Sequence, residues 1–96
     1  MENIPKKLPD RVLHGSMLLG AVRPGWWKKI DPETLDMPLS ERCVLGQVFG
    51  NFDKGMQALN LQHGFEGIAH GFQLWPRELV DSIPQWNRIW RELLDD

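Results

Sequence analysis

Five tryptophans in a chain of 96 residues constrain its fold more than any other feature. Each buries roughly 150–250 Å² when enclosed, and each then needs a partner for its indole N–H. A chain this short builds one small core, where burial at about 25 cal/mol per Å² only just exceeds the entropy of ordering. Five indoles are more than such a core hides, so at least one is expected at the surface. A hydrophobic fraction of 42% with 25% charged residues supplies enough apolar surface for a folded domain rather than a disordered chain.

Periodicity then divides the chain. Residues 1–9 hold two prolines and two lysines and read as an extended arm ahead of a single domain, 10–96. Asp10 is the expected N-cap of a helix running to about Val22, ended by Arg23-Pro24-Gly25. Leu13, Met17 and Ala21 recur every four residues and mark its expected core face, flanked by Val12, Leu18 and Leu19. Gly15 and Gly20 inside it point to close packing by a neighbour, or to a break. Residues 25–39 form a Trp- and Pro-punctuated loop. Asp31-Pro32-Glu33 suits a single helical turn, and Leu35–Met37 suits either a turn or a short extended piece before Pro38.

Ser40 is the expected N-cap of a second helix, from Glu41 to about Gly50, with Val44, Leu45, Val48 and Phe49 on one face. Gly50-Asn51 reads as a tight corner. Asn51 then caps a short helix carrying Phe52, Met56 and Leu59, which Asn60 stops. His63-Gly64-Phe65 and His70-Gly71-Phe72 nearly repeat each other, with a short helix expected over Glu66–His70 and Gly71 ending it in the left-handed conformation. The last helix is the clearest. Asp81-Ser82 and Pro84 open it, Ile83, Trp86, Ile89, Trp90, Leu93 and Leu94 follow steps of three and four, and Asn87 and Arg91 fall on the polar side. No stretch alternates as a strand does. The fold class that follows is mainly α: one compact domain of four or five short helices with an ordered Trp/Pro-rich loop.

One cysteine, Cys43, excludes an internal disulfide. Neither a basic-then-apolar leader nor an apolar run of about 20 residues is present, so a cytoplasmic protein without membrane contact is expected. Net charge is −2, but residues 1–30 carry six basic and two acidic residues. That is too sparse for a nucleic-acid footprint, so no nucleic-acid partner is expected; a minor nucleic-acid reading would rest on Lys6, Lys7, Arg11, Lys28 and Lys29.

The run Gly25-Trp26-Trp27, Ile30, Leu35-Asp36, Cys43-Val44-Leu45-Gly46-Gln47-Val48-Phe49-Gly50 and Gly55 resembles a group of small proteins of actinobacteria and their bacteriophages. These carry a tryptophan, a Leu-Asp pair, a Cys-x-Leu-Gly-Gln-x-Phe/Tyr-Gly segment, a later Gly-Phe and a terminal Trp-bearing helix. The resemblance implies an accessory protein working in the bacterial cytoplasm. It carries over no catalytic residue, cofactor or metal.

Read from the residues alone, the candidate sites are sites of contact. Trp26, Trp27, Lys28 and Lys29 juxtapose aromatics and cations, and Trp86 with Trp90 makes a second aromatic handle for a protein partner or for a second copy of the chain. Cys43, Gly46, Gln47 and Gly50 share one narrow side of their helix and form a packing groove, filled by a neighbouring segment or by a partner. Near a helix N-terminus Cys43 is also the nucleophile of an alternative thiol-enzyme reading, although no base or oxyanion donor accompanies it. His14, His63 and His70 with Cys43 match no compact zinc spacing.

Overall fold

The computed structural model describes residues 7–94; residues 1–6 of the arm expected over 1–9 lie outside that range, and Leu8 and Pro9 belong to the first helix instead. Helix α1 spans Leu8–Val22, α2 Val44–Phe49, α3 Phe52–Ala58, α4 Phe65–Ala69 and α5 Ile83–Leu93. Two 3-10 turns, Trp26–Lys29 and Pro76–Leu79, complete the regular structure, and the described residues include no strand. The mainly helical class is therefore as the periodicity predicts. No described helix is long and apolar enough to cross a membrane.

α1 starts two residues before Asp10, because Pro9 fits the first turn, where a missing N–H removes no helical bond, and Asp10 lies beside it in that turn. Its buried face is Leu8, Arg11, Val12, Gly15 and Leu19, not the expected Leu13, Met17 and Ala21. Leu13 is 49% exposed and Met17 65%, so the predicted core stripe is the outer face. The physical reason is that α1 is apolar nearly all round, leaving its hydrophobicity unable to choose a side. Two specific contacts choose it instead. A Cβ on Gly15 would collide with the carbonyl oxygen of His70, so only glycine lets the helix lie against that backbone. The Arg11 guanidinium, fully buried, reaches the Ile68 carbonyl oxygen at 3.0 Å and the Glu78 carboxylate beyond it.

After α1, Gly25 turns the chain at φ 79° and the Trp26–Lys29 turn follows. Asp31–Thr34 forms a turn rather than a helical segment: the Asp31 carboxylate accepts from the Glu33 N–H at 3.0 Å. Leu35 and Met37 are buried and Leu35–Asp36 is irregular, leading into a turn at Met37–Pro38.

α2 begins three residues later than the sequence suggests. Ser40 does not cap it; the Ser40 hydroxyl accepts instead from the first N–H of α3, at Phe52, at 3.1 Å. Cys43 is the N-cap, its sulfur accepting from the Gly46 N–H at 3.2 Å. The corner at Gly50 and the Asn51 cap of α3 are as expected, with Asn51 Oδ1 accepting from the Lys54 N–H at 2.8 Å. Asn60 turns the chain out of α3 at φ 57°, and Gly71 does the same after α4 at φ 72°.

The core closes around α5. Trp90 is completely buried, stacked on Phe72 at 5.4 Å and met edge-on by Trp26 at 6.0 Å. Trp86 and Trp90 both donate their indole N–H to the Gly71 carbonyl oxygen at 2.8 Å. A carbonyl oxygen has two lone pairs, so one acceptor satisfies both rings that a dry core would otherwise leave unpaired. The polar side of α5 is not simply solvated. Asn87 accepts from the Met37 N–H at 2.7 Å and donates to Asp36, and Arg91 donates to the carbonyl oxygens of Pro32 and Leu35. These bonds fasten the irregular loop over the C-terminal helix.

Candidate interaction surface

The expected aromatic handles separate sharply by burial. Trp26 is 6% exposed, Trp86 3% and Trp90 0%, so these three belong to the core and present almost no surface to a partner. Trp26, Trp86 and Trp90, expected as partner-binding residues, are core residues instead. Trp86 and Trp90, one turn apart on α5, form a docking stripe, and what it docks against is the protein's own Phe72, Gly71 and Trp26. Trp75 is partly buried and meets Phe65 edge-to-face at 5.6 Å.

Trp27 remains outside. Its ring is 50% exposed, and it rests edge-on against Trp26 at 6.3 Å. The backbone beneath it is locked: Trp26 N–H donates to Arg23, Lys28 N–H to Gly25 and Ile30 N–H to Trp27. Lys28 and Lys29, both exposed, complete the turn. The arrangement presents a half-bare indole with two cations beside it on a fixed platform.

The packing groove does not exist as an open feature. A Cβ on Gly46 would strike the backbone of Ser40 and Glu41, so that side of α2 is already filled by its own preceding turn. Gln47 is consumed internally, accepting from the Asp31 N–H at 2.6 Å and donating to the carbonyl oxygens of Arg42 and Asp31. Gly50 is the C-cap at φ 111°. Cys43 is 1% exposed, and burial pushes its thiol up from the usual value despite opposing hydrogen bonds from backbone N–H groups. Burial therefore outweighs the helix end at this thiol, and the sulfur's hydrogen-bonding capacity goes into capping α2, which counts against the alternative thiol-enzyme reading.

Among the described residues no group of three or more His, Cys, Asp or Glu side chains converges as a metal cluster would. His63 lies beside Asp53 at 3.3 Å and Phe52, while His14 and His70 line a separate concavity with Met17. Of the basic residues weighed for nucleic acid, Arg11 is buried in its ion pair and Lys6 lies outside the described residues.

Three features escaped the sequence reading. One is the Arg11–Glu78 pair, joined across 67 residues and invisible to any local pattern. Another is the outward stripe of α1. The third is a shallow groove of about 260 Å³, lined mainly by Met37, Pro38, Phe52, Leu74, Leu79 and Trp86. It forms where the loop, α3, the Pro76–Leu79 turn and α5 meet, which no single segment announces. The chain matches no protein-family model, no curated protein and no solved structure.

Proposed function

We propose that this chain is a protein-binding module without catalytic activity, with Trp27 as its anchor and Lys28 and Lys29 as flanking cations. The observation that carries the reading is the half-exposed indole on a hydrogen-bonded turn. An aromatic ring held in place before contact loses little further freedom on binding, and tryptophan is the residue type most enriched at interface hot spots. The two lysines suit a partner with an acidic rim. The burial of Cys43 and its raised pKa oppose the thiol-enzyme alternative. The setting suggested by the Cys43–Gly50 run is the bacterial cytoplasm, with a host or phage protein as target.

The test compares wild type and Trp27→Ala as baits, after thermal melting shows both folded. A partner that crosslinks to wild type at the Trp26–Lys29 turn and is lost with Trp27→Ala supports the reading. Equal capture by both baits rejects Trp27 as the anchor.

A second reading rests on a different observation. Leu13, Met17 and Ala21 form a bare apolar stripe along α1, which a second copy of the chain would cover in a homodimer. Sedimentation of wild type and Met17→Glu across concentrations decides it, and a wild type that stays monomeric to high micromolar removes it.

A further inference from the structure

His14, Met17 and His70 line one open concavity. His14 and Met17 stand three residues apart on α1, so their side chains rise from one edge of the helix. His70 comes from the end of α4. Its backbone is pressed so closely on α1 that a Cβ at Gly15 would overlap its carbonyl oxygen. The residue next to His14 therefore packs on the His70 backbone, and both histidines line the one concavity although 56 positions separate them in sequence.

The tautomer of His70 follows from its partner. Its Nδ1 lies 2.8 Å from the Glu66 carbonyl oxygen, and a carbonyl can only accept, so Nδ1 carries the proton. In the neutral ring Nε2 is then the atom with a free lone pair. An imidazole oriented by an Nδ1–H bond to a backbone carbonyl, with Nε2 left open, is the arrangement that metal-ligating histidines commonly show. The third donor is the thioether of Met17, 65% exposed and without a charge. Thioether sulfur is a soft ligand that selects monovalent copper over zinc, magnesium or calcium, whereas imidazole suits several transition metals.

From these placements we propose that His14, Met17 and His70 form a surface site for a soft monovalent metal ion, copper(I) or its analogue silver(I). His14 and His70 supply imidazole nitrogen and Met17 supplies sulfur, and the ion binds without change of oxidation state. Cys43 takes no part, because it is buried in the cap of α2. His63 takes none either, since it lies beside Asp53 and Phe52 instead.

Silver(I) titration by calorimetry on the full chain, in a Cys43→Ser background that keeps an N-cap acceptor, tests the site. The expected result is one saturable equivalent. His14→Ala and Met17→Leu each weaken it tenfold or more, and His63→Ala leaves it unchanged. Both weakened variants alter exposed side chains, so circular dichroism should show them folded. Met17→Leu keeps the apolar bulk and removes only the sulfur, which separates ligation from packing. Chemical-shift changes confined to the His14 and His70 rings would corroborate the assignment. No saturable binding, or binding undiminished in both His14→Ala and Met17→Leu, would overturn it.

Discussion

Arg11 and Glu78 grip each other twice, Nη1 donating to Oε2 at 2.9 Å and Nη2 to Oε1 at 2.6 Å. The arginine is wholly buried and the carboxylate about one-fifth exposed. The same carboxylate accepts from the Trp75 N–H at 2.8 Å, so one side chain holds α1 and the start of the Pro76–Leu79 turn together. Glu78→Gln is expected to destabilise the fold by about 3 kcal/mol, because it removes a carboxylate charge bonded twice to a buried guanidinium. Arg11→Met is expected to cost less than Glu78→Gln, since it removes the buried charge itself. Urea unfolding of the two variants checks the order, and a harmless Glu78→Gln would show that the pair contributes little.

The same pair sets an acid limit. Burial raises the Glu78 carboxyl, but hydrogen bonds from Arg11 and Trp75 and the charges of Arg11 and Arg77 outweigh it, leaving it below the ordinary 4.5. A carboxyl depressed in the folded state contributes its full stability above the unfolded value and loses it as pH falls through the folded value. Unfolding free energy measured in urea should therefore change little on this account above about pH 5.5 and decline below about 4.5. Glu78→Gln should flatten that decline. A variant with the wild-type slope would assign acid sensitivity to other carboxylates.

Cys43 is expected to be inert while the protein is folded. Its thiol is pushed above 9.0 by burial and spends its lone pair on the Gly46 N–H. Alkylation by iodoacetamide at neutral pH should run at least tenfold slower in native buffer than in denaturant, as the thiolate is the reacting species. Equal rates would mean that the sulfur is accessible and α2 is loosely capped.

Trp86 and Trp90 share the Gly71 carbonyl oxygen, so their substitutions are expected not to add. Trp86→Phe or Trp90→Phe leaves the other indole on the acceptor and loses one hydrogen bond, worth about 1 kcal/mol, plus the packing of the missing ring. The double variant strands a buried carbonyl as well, adding about 1–3 kcal/mol beyond the sum. A double-mutant cycle by chemical denaturation measures the excess, and strict additivity would show that water reaches Gly71.

Much of this fold is legible in the sequence where local rules govern it. The Asn51 cap, the Gly50 corner, the left-handed exits at Asn60 and Gly71 and the period of α5 all depend on residues within one or two turns. What escaped depends on distant partners. Ser40 passes for the cap of α2 until Phe52 claims its hydroxyl, and α1 shows its Leu13–Met17–Ala21 stripe outward because Ile68, His70 and Glu78 claim its other face. The candidate surface was half legible. An excess of indoles correctly implies one left outside, but only the packing of Trp26 and Trp90 against each other identifies Trp27 as that one.

The bonds from Asn87 and Arg91 to residues 32–37, with the two indoles on Gly71, give α5 a role in timing as well as in packing. Everything between Trp26 and Phe72 is synthesised before the element that encloses it. A nascent chain paused short of Trp90 lacks the ring that stacks on Phe72 and meets Trp26, so its apolar cleft stays open until α5 has emerged.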